Sequence, residues 1–138
     1  MPLAAPRLDV YTSTYPEYAA HVRKAINSGL PSTLQRMTDA TKKKANYNKA
    51  CPSSIPRPSG RSCDEYPFQS TYQGAALNGG SVRVPSGCYL DVVAGSGPTG
   101  FSRCMIIKAQ NSLGGSVLNA FYQNSRVLDK DKFTVRVV

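Results

Sequence analysis

The chain has 138 residues, with 17 Lys plus Arg against 8 Asp plus Glu, and a formal charge of +9. This length supports one domain around a single core and excludes two, while 41% apolar residues exclude a wholly disordered chain. The longest apolar stretches run five or six residues, far short of the roughly 20 a bilayer helix needs, so no membrane span is expected.

Residues 1–12 carry a β-like patch, Leu8 to Tyr11, behind two prolines, and read as an extended arm or first strand. Ser13 or Thr14 can cap a helix in which Tyr15, Tyr18, Val22, Ala25 and Ile26 recur at three- and four-residue spacing, and Gly29 followed by Pro31 ends it. Residues 31–38 predict a short second helix with Pro31 in its first turn, after which the chain is polar and basic through Asn48. CPSSIPRPSGRSC, residues 51–63, holds three prolines and a glycine and reads as a stapled loop. Residues 81–84, 89–93 and 103–109 are rich in β-branched and aromatic side chains and are divided by PSG and AGSGPTG, which predicts three strands with a hairpin over 85–101. Asn111 can cap a further helix through Val117, Leu118, Phe121 and Tyr122, although Gly114 and Gly115 weaken its first turn. Residues 133–138 alternate as a strand does. The order predicts an α+β fold: a small single domain whose mostly antiparallel sheet packs with one or two main helices and is stapled by disulfides.

Four cysteines, even in number and without a close C-x-x-C pair, read as two disulfides rather than a zinc site. Four cysteines permit three connectivities. Pairing Cys51 with Cys63 and Cys88 with Cys104 closes a Pro/Gly-rich segment each time, worth roughly 3 kcal/mol apiece on the loop-entropy model. Disulfides imply an oxidising destination. MPLAAPRLDV has no apolar run of seven or more, so the expectation is a mature, secreted chain with an added initiator Met1; the alternative is that export is not encoded here.

The positive surplus gives a surface field of several kT, for which polyanions are the natural partners. Nucleic acid fits; an anionic membrane fits less well, because no basic amphipathic helix with bulky apolar anchors is present. The cations lie at Arg23 and Lys24, at Lys42, Lys43, Lys44 and Lys49, at Arg57 and Arg61, and at Arg83, Arg103 and Lys108. A run such as KKK reads as a solvated loop as readily as a binding site. Acids are scarce: Glu17 and Glu65 are the only glutamates, and Asp64 and Glu65 stand side by side after Cys63. Adjacent carboxylates in a basic setting hold a hard divalent cation through oxygen, or divide the work of metal ligand and proton carrier. On a strand they point to opposite faces, so both reach one site only at a bend or a helix start, and Pro67 supplies a bend. The plainer alternative is a helix cap or a surface ion pair with Arg61. His21, the only histidine, lies about 60° from Tyr18 on a helical wheel, at the margin of the apolar face, where it looks into a cleft or sits half-buried with one hydrogen bond. G-x-S-x-G, Walker, H-E-x-x-H and Rossmann patterns are absent, and paired cysteines do not serve as thiolate nucleophiles.

RSCDEYPFQSTYQGA, residues 61–75, resembles the signature of the NucA/NucB deoxyribonuclease family, a D-E-[YW]-P core followed by small residues and a glycine. In the same order, YPEYAAHVRKAINSG (15–29) resembles the family's early helix with its histidine, QNSLGGSVLNAFY (110–122) its N-x-x-G-G/A-S helix, and RVLDKDKFTV (126–135) the ending of longer members. The resemblance implies a secreted or toxin-type, metal-dependent, non-specific endonuclease of minimal α+β fold, acting on DNA, with RNA as a further substrate to test. Asp64 and Glu65 would be the catalytic, metal-holding acids, Asn111 would lie on the metal or phosphate side, and His21 would face the cleft. The ion would be magnesium or manganese, and Glu65 precedes Asp64 and His21 as the choice of base. Arg61, Lys108, Arg23 and Ser116 are the expected substrate contacts, a monomer the expected state, and an inhibitor or immunity protein a further partner. Two departures stand out: Gln110, where many members carry Asp or Glu, and the segment 85–101, which looks like an inserted hairpin. They motivate an alternative, a stapled binding protein or effector without turnover; the missing export signal motivates another, a ribonuclease or toxin domain released from a longer protein. Tyr47, Tyr66 and Tyr72 are able to stack on bases or to fill the core.

Overall fold

A computed structural model describes residues 4–138; the start of the expected arm, with Met1, lies outside the described residues. In chain order come strand β1 (Arg7–Val10), helix α1 (Pro16–Asn27), strand β2 (Thr33–Gln35), helix α2 (Ala40–Ala50), strands β3 (Arg61–Tyr66), β4 (Val82–Arg83) and β5 (Phe101–Ile107), helix α3 (Lys108–Asn124) and strand β6 (Lys132–Val137). The strands form two three-stranded sheets, β1-β6-β2 and β3-β5-β4. This is the expected small α+β domain, but with three helices and with two mixed sheets in place of one mostly antiparallel sheet. β3–β5 and β2–β6 run antiparallel, whereas β1–β6 and β4–β5 run parallel. The chain between each parallel pair is long, as parallel pairing requires and a tight hairpin forbids.

Helix α1 buries Tyr18, Ala19, His21, Val22 and Ala25, and Gly29, with φ +109°, terminates it as expected. Its start differs. Neither Ser13 nor Thr14 caps it; Gln110 Oε1 accepts instead from the backbone N–H of Glu17 (2.8 Å) and of Tyr18 (3.3 Å), two of the donors a helix leaves unpaired at its N-terminus. Residues 31–38 form no helix: Thr33–Gln35 pair with β6 and bury Leu34, because so short a segment gains more from an existing strand edge than from one apolar helical turn. The basic stretch after it is helical. Asp39 accepts from Lys42 N–H at 2.9 Å, and an Ala/Lys-rich run follows with high intrinsic helix propensity.

Both expected disulfides are present, Cys51–Cys63 and Cys88–Cys104. Residues 89–93 are not a strand; a single antiparallel bridge, Val84 to Val93, is what the expected hairpin comes to. The rest of that segment is irregular and organised by buried Arg83, which donates to the carbonyls of Ser28, Gly97 and Thr99 and to Ser28 Oγ. Helix α3 begins at Lys108, ahead of the expected cap at Asn111. Gly114 lets it approach α1, since a Cβ there would collide with the Tyr18 ring.

Two apolar clusters meet at β3. The larger includes Tyr66, Cys104 and the buried face of α1; the smaller, beneath α2, includes Cys63, Phe101 and Met105. Alternation along the strand therefore sends Asp64 with Tyr66 toward α1 and Glu65 with Cys63 toward the other face.

Candidate active site

β3 is an edge strand: among the described residues, β5 is the one strand it pairs with. A cavity of about 330 Å³ lies against it, lined by Asp64 and Glu65, by Tyr18 of α1, Lys43 and Tyr47 of α2, and Asn111, Ser112 and Asn119 of α3. This corrects the requirement for a bend or a helix start: side chains from both faces of a strand reach one cavity when that cavity runs along a free edge. The strand then ends at the cis peptide bond between Tyr66 and Pro67.

Asp64 is held from behind. His21 Nδ1–H donates to Asp64 Oδ2 at 2.7 Å, and His21 Nε2 meets Ser102 Oγ at 2.8 Å. His21 is 1% exposed and does not line the cavity; it is fully interior, rather than marginal, because β3 and β5 pack against the flank of α1 that carries it. Glu65 is equally buried but unsupported: its Oε2 has no hydrogen-bond partner. Arg103, its cross-strand neighbour, makes no ion pair with it and leaves its own Nε unpartnered. Burial first, and the charge of Asp64 second, push the Glu65 carboxyl up to about 8. A buried carboxylate oxygen without a donor is costly, and a proton or a cation relieves it. Asn111 completes the wall. Its Nδ2 donates to Ser62 Oγ (2.8 Å) and to the Cys63 carbonyl (3.0 Å); a carbonyl only accepts, so the amide orientation is fixed and its oxygen is the end left for the cavity.

The model of the family described as deoxyribonuclease NucA/NucB matches residues 22–136. The chain belongs to the NucA/NucB deoxyribonuclease family. At the family level it is a nuclease, with nucleic acid as its substrate class. The NucA/NucB match takes in Lys43, Asp64, Glu65 and Asn111 and begins one residue beyond His21. No curated relative matches the chain.

The four substrate contacts expected for a NucA/NucB nuclease lie off this cavity. Arg61 is engaged by Glu17 (Nη1 to Oε1 2.7 Å) and stacks over Tyr89, its Cζ 3.7 Å from the ring centroid. The same pairing holds the Glu17 carboxyl below its ordinary range. Arg23 is exposed and donates to Thr12 Oγ1, Lys108 is exposed at the start of α3, and Ser116 is exposed beside Gly115. Gln110 is committed to the end of α1 and takes no place in the cavity. The polar cavity residues not foreseen at the site are Tyr18, Lys43, Gln69, Ser70, Ser112 and Asn119, with Tyr47 foreseen only as one of three aromatics. A signal for them existed in the spacing: Asn111, Gly115 and Asn119 recur every fourth residue, as do Lys43 and Tyr47.

Proposed function

We propose that this protein is a divalent-metal-dependent endonuclease that hydrolyses DNA with little base preference, after export to an oxidising compartment. The observation that carries the reading is the unpartnered Glu65 oxygen beside Asp64 in a cavity rimmed by Lys43. Among the described residues no three His, Cys, Asp or Glu side chains are placed to hold a metal ion by themselves. The donors at hand are two carboxylates and the Asn111 amide oxygen, an all-oxygen set that suits magnesium or manganese, which keep waters and complete their shell with substrate phosphate.

Asp64, Glu65 and Asn111 would hold the ion. When bound, it supplies positive charge for the phosphoryl oxygens and lowers the pKa of water. The protein's own part is positioning. His21, fixed by Ser102, occupies one Asp64 oxygen and so orients the other. Lys43 meets a phosphate oxygen at the rim. Glu65 accepts the proton of the attacking water as the new P–O bond forms; the P–O bond to the leaving sugar oxygen breaks and that oxygen takes a proton from solvent. Base identity enters none of these steps, which supports cutting without sequence preference.

Supercoiled plasmid and single-stranded RNA, incubated with the protein in magnesium, manganese or chelator beside Asp64→Asn and Glu65→Gln, test the proposal. Metal-dependent DNA cutting that both variants lose by about 10²-fold or more is expected; wild-type rates in either variant would refute the site, and a preference for RNA would make the protein a ribonuclease. That only two carboxylates line the cavity favours a second reading, a binding protein without turnover, which tight, salt-sensitive binding without cleavage in any metal would establish.

A further inference from the structure

The groove does not stop at the acids. Tyr47, 39% exposed on α2, lines both the Glu65 cavity and a second concavity of about 540 Å³ bounded by Cys51, Pro52 and Arg57. It is the one residue that these two concavities share. Lys43, Tyr47 and Cys51 follow at four-residue steps along one stripe, and each step advances about 6 Å along the helix axis, a length of the order of one nucleotide. Helix α2 is anchored beside Tyr47 and at its C-terminal end. Asn46, fully buried, donates to the Gln69 carbonyl (2.8 Å) and accepts from Ala76 N–H (2.9 Å), and the Cys51–Cys63 disulfide ties the end of α2 to the residue before Asp64.

Charge continues past Tyr47. The Arg57 guanidinium is fixed by the carbonyls of Pro52 and Ile55 (2.7 Å each) and Cys51 (2.9 Å), and Arg103 lies near enough to be repelled by it. Among the described residues, Lys43, Arg57 and Arg103 have no carboxylate within ion-pair distance. An aromatic face with uncompensated cations to either side is the arrangement that binds single strands, through phosphate attraction and base stacking. Bases inside a duplex have both faces covered, so Tyr47 is open only to an unpaired base.

We infer that Tyr47 is a stacking platform for the base next to the scissile phosphate, with the following phosphate toward Arg57, and that single-stranded nucleic acid is the preferred substrate. The position of the scissile phosphate rests on the nuclease reading; the platform is tested without turnover.

A short single-stranded DNA carrying the fluorescent base 2-aminopurine, alone or annealed, is titrated with the full chain in chelator, using Tyr47→Ala, Tyr47→Leu and Tyr47→Phe, each checked by thermal unfolding. The Ala and Leu variants should bind the single strand about 5- to 100-fold more weakly and quench the base less. Phe should restore binding, and the duplex should bind all four proteins alike. The slope of affinity against salt should stay unchanged, since no phosphate contact is lost. Undiminished single-strand binding by Ala or Leu, equal losses on the duplex, or a changed slope would each overturn the inference. Stacking without cleavage once metal is restored would instead sink the nuclease reading and leave the platform standing.

Discussion

Replacing Glu65 by Gln tests the central electrostatic feature of the site without requiring catalysis. Burial and Asp64 raise the folded-state pKa of Glu65 from 4.5 to about 8, so the native protein binds this proton more tightly than the unfolded chain does. The resulting stability is complete below about pH 4.5 and is lost as pH rises through about 8. Integrating the two titrations, the ion-free protein loses on the order of 2–3 kcal/mol between pH 5 and pH 7 and about 1 kcal/mol more by pH 8. For a domain of this size that corresponds to a fall in Tm of roughly 10 °C. Thermal unfolding by circular dichroism in chelator, at pH 5, 7 and 8, should therefore show the stability of Glu65→Gln rising relative to wild type by that amount. The comparison cancels the titration of groups that do not interact with Glu65, including the charge repulsion of a strongly basic chain in acid. Millimolar magnesium or manganese should restore much of the wild-type loss at pH 8 and little in the variant. Parallel pH curves for the two proteins would refute the reasoning, because they would mean that Glu65 ionises as freely folded as unfolded.

Gln110→Ala removes both acceptor contacts to the start of α1 and should cost about 1 kcal/mol in denaturant unfolding, with plasmid cutting near wild type; a lost rate with unchanged stability would instead place Gln110 in the cleft. Gly114→Ala and Gly115→Ala should have opposite signs. The first drives a Cβ into the buried Tyr18 ring, whereas the second meets nothing within 4 Å. Overpacking should exceed the gain in helix propensity and leave Gly114→Ala about 1–2 kcal/mol less stable, with Gly115→Ala up to about 1 kcal/mol more stable; equal shifts in denaturant midpoint would contradict the α1–α3 contact.

What was legible in the sequence was local. The heptad-like recurrence from Tyr15 to Ile26 revealed α1 because its apolar stripe is real, and the disulfide pairs were readable because each closes a short Pro/Gly-rich segment. Helix α2 was hidden for the opposite reason: it buries only Asn46 and Ala50, so no stripe exists, and Asp39 before an Ala/Lys run was the only sign. Residues 89–93 misled because β-branched side chains imply a strand only when a partner buries them, and Tyr89, Val92 and Val93 are 61%, 65% and 41% exposed. In the candidate site, the scarce acids stood out by chemistry. That one free strand edge serves both, that His21 stands behind rather than beside them, and that Gln110 serves a helix more than ninety residues away are consequences of topology, which no window of sequence contains.

Both disulfides end beside the acids. Cys63 immediately precedes Asp64, and Cys104 is the residue facing Asp64 across the β3–β5 ladder. Oxidation therefore anchors β3 to the end of α2 and β5 to the irregular segment that holds Cys88, one bridge for each strand of the pair. In a chain still reduced, β3 with Asp64 and Glu65 is held to the end of α2, and β5 to the segment around Cys88, by hydrogen bonds and side-chain packing alone, so the thiol balance of the surroundings bears on the frame around the carboxylates. The folding state and the geometry of the candidate site are thereby linked to the same two covalent bonds: surroundings that permit the bridges are surroundings in which the frame of the acids is covalently fixed.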